Sequence, residues 1–304
     1  MTALSILLPI FWVLIALGFL AAIWGIFVER QLFQIRESTL AVLAPGSNSI
    51  RVLQIGDIHL APWQKRKARW IKTLGALQPD LVVNTGDNLG HANAIAPLLA
   101  CLDPLLRLPG VFVNGSNDYH APTPRNPFTY LRNPSNVGAG KALDTPRLIA
   151  GLESHGWLNL NNQAGELNIN GVALGFLGVD DAHEDLDKID TLVAQRNSLA
   201  KTKTVILGVT HAPYMRVIEA MAQNDTELVF AGHTHGGQVC VPFLGALVTN
   251  CDLPTKYAKG ISAWIFAGKA VMLSVVAGLG NSIYAPVRFA CLPEVRLLTL
   301  VAKA

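Results

Sequence analysis

Ala231-Gly-His-Thr-His-Gly-Gly-Gln238 follows a short apolar run, Glu227-Leu-Val-Phe230. The run has the composition of a buried strand, and the glycines that follow it end the strand. His233 and His235 are two residues apart, so on extended backbone both imidazoles face the same way. The flanking glycines let the chain turn sharply and let a ligand approach closely. Two imidazoles aimed at one point with no bulky neighbours suit a metal ion better than an apolar core.

Four more strand ends carry possible partners. Arg51-Val-Leu-Gln-Ile-Gly56 runs into Asp57-Ile-His59, and Leu81-Val-Val-Asn-Thr85 runs into Gly86-Asp87-Asn88. Val111-Phe-Val113 runs into Asn114-Gly-Ser-Asn-Asp118, and Thr204-Val-Ile-Leu-Gly-Val-Thr210 runs into His211. Each is a β-branched run that stops at a glycine or a polar residue, as a buried strand does where it leaves a sheet. A lone Gly-Asp or Asp-x-His is a weak signal. Carboxylate, imidazole and amide groups gathered in this order from five strand ends predict a site for hard to borderline metals.

The ordered series resembles the calcineurin-like metallophosphoesterase superfamily. The Gly-His-Thr-His-Gly-Gly-Gln form is similar to its bacterial membrane-associated branch. The likeness runs from about residue 50 to the C-terminus. It implies a four-layer α/β/β/α sandwich and a two-metal hydrolase of phosphate esters. It also implies roles: Asp57, His59 and His235 on a first metal, Asp87 bridging, and Asn117, His211 and His233 on a second. The ions would be manganese, iron or zinc. Two such ions held about 3.5–4 Å apart lower the pKa of a bridging water and clamp both oxygens of an in-line displacement.

One block departs from the family, which has Gly-Asn-His-Asp or Gly-Asn-His-Glu where this chain has Gly115-Ser-Asn-Asp118. Counted from the preceding strand, Asn117 takes the ligand position and Asp118 the histidine position. Counted from the following Asp-Tyr, Ser116 is the ligand and Asn117 replaces the histidine. The first register is preferred, because an amide oxygen is the usual ligand there. Either way the assisting histidine is missing, which leaves Asp118 and His120 as candidates to protonate the leaving group. A diphosphate leaving group would need little such help.

The chain has 304 residues, 51% of them hydrophobic and 15% charged, with a mean hydropathy of +0.35. Much of that excess lies at the start. Residues 1–28 hold no charged side chain, and about 20 apolar residues suffice to span a bilayer. No basic n-region precedes the run and it is long for a signal peptide, so a retained anchor is expected over a cleaved one. Arg30, Arg36 and Arg51 follow it, which places the catalytic domain on the cytoplasmic side. Cys101, Cys240, Cys251 and Cys291 show no paired spacing, in keeping with a reducing compartment. Residues 29–48 read as a juxtamembrane linker and 49–304 as the metallophosphoesterase domain.

Residues 65–69 hold four cations between Trp63 and Trp70. This is the polar start of a first helix or a contact with a membrane surface. With a net charge of +3, no nucleic-acid partner is expected, and no protein partner is predicted. A second helix over 92–108 is expected to be broken by Pro97 and Pro104. The long stretch 119–147, with Arg125, Arg132, Lys141 and Arg147, is a loop able to lie over the metals. Asn170-Gly171 marks a hairpin turn. Asp180 and Asp181 end a strand, facing the site or capping.

The function expected is a membrane-anchored phosphoesterase in the cell membrane acting on a phosphodiester or pyrophosphate, with a lipid-linked ester among the candidate substrates. The competing expectations are a catalytically weak metal-binding membrane scaffold and a tethered phosphodiesterase for soluble nucleotides.

Overall fold

The computed structural model describes residues 3–124, 140–199 and 205–304. Among these, two six-stranded sheets face each other. The first contains β1 (Gln34–Leu43), β2 (Ile50–Ile55), β3 (Leu81–Asn84), β4 (Gly110–Phe112), β5 (Leu158–Asn159) and β14 (Glu294–Ala302). Their spatial order is β1-β14-β2-β3-β4-β5. The second contains β6 (Ala164–Ile169), β7 (Val172–Gly178), β8 (Val205–Val209), β9 (Leu228–Ala231), β12 (Gly260–Phe266) and β13 (Lys269–Val275), in the order β12-β13-β9-β8-β7-β6. A two-stranded ribbon pairs β10 (Cys240–Val241) with β11 (Gly245–Ala246).

The central strands β3, β4, β8 and β9 are buried along their whole length. That is why they read as continuous apolar runs rather than alternating ones. Val52, Leu81, Val83 and Val111 of the first sheet pack against Phe176, Leu207, Leu228 and Phe230 of the second. Each such side chain withdrawn from water stabilises the fold by roughly 1.5–3 kcal/mol. Outside the first sheet lie α2 (Lys65–Thr73), α3 (Ile95–Leu106) and α5 (Thr145–Glu153), through Ile71, Leu98, Leu102 and Leu148. Outside the second lie α6 (Leu192–Ser198) and α7 (Met215–Gln223), through Leu192, Val217 and Met221. The layers are therefore α/β/β/α. A polar tie joins the sheets at their centre: Gln54 Nε2 donates to the Ala231 and Ser274 carbonyls at 2.9 and 3.1 Å, and Ser274 Oγ donates back to Gln54 Oε1 at 2.6 Å.

The expectation of a break in the second helix is corrected. Pro97 and Pro104 both lie within one continuous helix, α3. Pro97 stands in the first turn, where backbone N–H groups have no helical partner to lose. Pro104 stands in the last turn, where a single bond is forgone. Six buried side chains of α3, Ile95 to Leu106, hold it to the sheet in compensation. The hairpin at Asn170-Gly171 forms with both residues at positive φ, 53° and 82°, the primed turn that matches strand twist.

The first sheet begins earlier in the chain than residue 49. Gln34–Leu43 is its edge strand, parallel to β14 from Gln34↔Glu294 onward. Before it, α1 (Ala3–Ile23) carries the apolar run. It belongs to the one stretch, Ser5–Gln31, long and apolar enough among the described residues to cross a membrane, and its most apolar window holds no buried residue. Its foot, residues 24–31, does dock. The Gly25 carbonyl accepts the Arg288 N–H at 3.2 Å, and a Cβ at Gly25 would lie 2.6 Å from the Arg288 carbonyl oxygen. The buried Glu29 carboxylate accepts the Cys291 N–H at 2.6 Å and Trp24 Nε1 at 3.0 Å. Arg125 and Arg132 of the long loop lie outside the described residues.

Candidate metal centre

The parallel strands β2, β3 and β4 of one sheet and β8 and β9 of the other all end at the same edge. The loops leaving them are stitched together. Asp57 N–H donates to the Gly86 carbonyl at 2.8 Å, His59 N–H to that of Asp87 at 3.0 Å, and Gly232 N–H to that of His211 at 2.9 Å. This stitching brings the side chains to one point. Ligand atoms of Asp57, His59, Asp87 and His235 all lie within 4.8 Å of one another. His211 Nε2 lies 3.6 Å from Asp87 Oδ1 on its other side. The His233 ring stands edge-on to His211, with centroids 5.2 Å apart.

Backbone conformation bears the cost of this convergence. Asp57, His59, Asp87, His233 and His235 all have positive φ, between 42° and 71°, a region non-glycine residues seldom occupy. Such strain persists only where surrounding structure holds it, and it gathers at functional sites. Gly115 shows how tight the floor is: a Cβ there would collide with Asp87 Oδ1 and stand 2.7 Å from His211 Nε2.

The donor set fits a divalent metal. His235 gives its Nδ1 proton to the Gly280 carbonyl at 3.0 Å, and His211 gives its own to that of Thr85 at 2.8 Å. His233 uses Nε2 on the Asn250 carbonyl at 3.1 Å. Since a carbonyl can only accept, each ring keeps a lone pair on its other nitrogen. His235 Nε2 faces His59 Nε2 at 3.1 Å, and His211 Nε2 is buried with no hydrogen-bond partner. Burial pushes the imidazoles of His211, His233 and His235 below the usual histidine range, which keeps them neutral and able to donate electron pairs. Burial first, and the neighbouring Asp87 second, push the Asp57 carboxyl well above the usual carboxylate range. A cation held by these groups would take the lone pairs of His235 and His211 and offset the repulsion between the Asp57 and Asp87 carboxylates.

The third block is placed as follows. Asn117 N–H and Asn117 Nδ2 donate to the two Asp87 oxygens, each at 2.8 Å. Asp118 is fully buried in the short turn α4 (Ser116–Tyr119). Its carboxylate accepts Asn88 N–H at 2.8 Å, Gly115 N–H and Asn88 Nδ2 at 3.1 Å, and Leu89 N–H at 3.3 Å. Burial and then Asp87 push its pKa up to about 7 against these donors. Asp118 thus locks the loop after β4 onto the loop after β3. His120 is half-buried beyond it, and its Nδ1 has no hydrogen-bond partner among the described residues.

The sequence reading passed over His183. Its ring lies 4.5 Å from that of His233, and Nδ1 is 3.1 Å from the Tyr214 hydroxyl. Asp181 Oδ1 accepts the His183 N–H at 3.0 Å, while Asp181 Oδ2 is buried without a partner. Asp180 instead accepts the Tyr119 hydroxyl at 2.7 Å. The signal was present, since β7 is one more buried strand ending in polar residues. A cap explained the aspartate pair equally well. The four-cation run divides: Lys65, Arg66 and Arg69 are exposed, but Lys67 is buried and donates to the Ile58 carbonyl at 2.7 Å, behind the first donor loop.

The family model for calcineurin-like phosphoesterase matches residues 50–237, which holds every candidate ligand. The chain is a calcineurin-like phosphoesterase. Relatives of this phosphoesterase include an uncharacterized metallophosphoesterase of Aquifex aeolicus (strain VF5), 25% identical over 94% of this chain and 99% of its own. A Bos taurus transmembrane protein with metallophosphoesterase domain is 28% identical over 74% of this chain, which spans 49% of the bovine one. Among solved structures, NAD nucleotidase of Haemophilus influenzae is 14% identical, with a TM-score of 0.49, over 76% of this chain and 46% of its own.

Proposed function

We propose that this phosphoesterase is a membrane-anchored, two-metal hydrolase of a phosphodiester or pyrophosphate bond. The observation that carries the reading is Asp87, whose carboxylate borders both donor groups. Asp57, His59 and His235 stand on one side of it, and His211, His233 and Asn117 on the other. Bound divalent ions would supply Lewis-acid polarisation and a nucleophile at neutral pH. The chain's own part is positioning. His235, His211 and His233 are fixed in tautomer and orientation by backbone carbonyls, the arrangement that raises ligand affinity in metal sites. Asn117 would turn its amide oxygen inward to serve as a ligand. Asp118 and His120 are the candidates for the leaving-group proton. His120 is the first to test, because N–H donors already hold both oxygens of Asp118.

The test uses the full chain, solubilised in detergent and loaded with manganese. Two ions per chain and hydrolysis of bis(p-nitrophenyl) phosphate are the expected result. Asn117→Ala should lower both metal content and rate, while Ser116→Ala should leave metal content almost unchanged. The reverse pattern would transfer the ligand role to Ser116. Absence of both metal and hydrolysis would end the proposal.

The anchor is α1, retained and single-pass in the cell membrane, with the domain on the cytoplasmic side. Its exposed apolar surface and the cations that follow it support this. The protein should stay in the pellet through carbonate extraction, and its domain should resist protease added outside spheroplasts. A mature N-terminus beyond residue 25 would show a cleaved signal instead.

A further inference from the structure

Around the foot of α1 the surface is apolar and basic together. The ribbon β10–β11 ends in Phe243 and Leu244, 108% and 83% exposed, with Leu247 at 60% just beyond. This ribbon is fixed to the segment that carries the anchor. Cys240 N–H donates to the Phe289 carbonyl at 2.8 Å, Gln238 Nε2 donates to that of Ala285 at 3.2 Å, and Arg288, just before Phe289, donates its N–H to the Gly25 carbonyl. Tyr284 is exposed on the same segment, and Trp24 and Phe27 are exposed on the foot itself. On the other flank a cleft of about 340 Å³ is lined by Arg30, Trp63, Lys65, Arg66, Lys67 and Asn281. Two of its lining residues lead to the metal centre: Asn281 adjoins Gly280, whose carbonyl orients His235, and Lys67 donates to the Ile58 carbonyl beside His59.

Charge follows the same pattern. Residues 58–79 contain no acid, and Lys65, Arg66 and Arg69 are exposed there; Lys256, exposed between the ribbon and β12, adds a fourth cation. Exposed aromatic and aliphatic side chains rimmed by cations match a bilayer interface bearing anionic headgroups, where Trp and Tyr settle and each cation adds attraction.

We propose that this face is a second membrane contact: the tip of β10–β11, Tyr284, Trp63 and the start of α2 lie in the headgroup layer of an anionic bilayer. The metal centre then opens onto that layer, and the phosphate ester it meets is one held at the lipid surface. The inference rests on α1 being an anchor and adds a fixed posture for the domain.

The test places the full chain in nanodiscs of phosphatidylcholine and phosphatidylglycerol containing a lipid with a diazirine in its acyl chain. After illumination, mass spectrometry maps the adducts. The expected result is adducts on α1 and also within residues 241–247 and at Tyr284. Adducts on α1 alone would overturn the second contact and leave the anchor standing; none on either would remove both. Phe243→Ser with Leu244→Ser, at an exposed tip, should abolish the ribbon adducts and spare those on α1. Lys65→Glu with Arg66→Glu should lower ribbon adducts on the order of tenfold in anionic discs. No change in either double variant would also overturn the proposal.

Discussion

Asp87→Ala is expected to reduce hydrolysis to background and to remove most of the bound metal. Among the described residues, Asp87 is the carboxylate that borders both donor groups, 3.3 Å from His59 Nε2 and 3.6 Å from His211 Nε2. Loss of an outer hydrogen-bond partner already costs roughly 10–100-fold in metal affinity, and a shared ligand should cost more. The change also releases Asn117, whose N–H and side-chain amide both rest on this carboxylate. Metal per chain by elemental analysis is read beside the rate. A variant that keeps its metal and its activity would dismiss Asp87 as the shared ligand.

Arg288→Met should destabilise the fold by roughly 3–5 kcal/mol, a lowering of Tm on the order of 10 °C. The Arg288 side chain is fully buried. Its guanidinium donates to the carbonyls of Gly280 at 2.6 Å, Ala277 at 2.7 Å, Gly278 at 3.2 Å and His235 at 3.4 Å. Methionine fills the volume but strips the Ala277 carbonyl of its side-chain donor and leaves those of Gly278, Gly280 and His235 with only their weaker neutral donors. The cost should be greatest for the loop that orients His235, so metal affinity should fall along with Tm. Arg288→Lys, able to reach fewer carbonyls, should lie between. An unchanged melting curve for the full chain in detergent would mean that water replaces the guanidinium there.

The parts legible in the sequence share one physical cause. Asp57, Asp87, His211, His233 and His235 each follow a strand buried on both faces, so an unbroken apolar run announces the polar residue that leaves it. The layered fold could be inferred on the same grounds. Strand β1 could not, because it is an edge strand with Arg36, Glu37 and Thr39 exposed; it looks polar and pairs with β14, some 260 residues away. Arg288 carries no local sign of its role, since the carbonyls it gathers come from separate segments. Pro97 and Pro104 look like breaks until their places within α3 are known. Asp118 looks like a free acid until the loop after β3 closes over it.

The join between α1 and the sheet sets how far the site can travel if α1 stays in a bilayer. Only residues 29–33 separate the helical turn ending at Val28 from the start of β1 at Gln34, and five residues reach at most ~18 Å even fully extended. Three of them are wound into a tight turn. With α1 in a bilayer the domain has almost no leash. Its encounters are confined to a thin slab, so its turnover should follow the surface density of substrate in the membrane rather than bulk concentration. Diluting vesicles at constant lipid composition should leave the rate per enzyme unchanged, whereas diluting the substrate with inert lipid within the same vesicles should lower it.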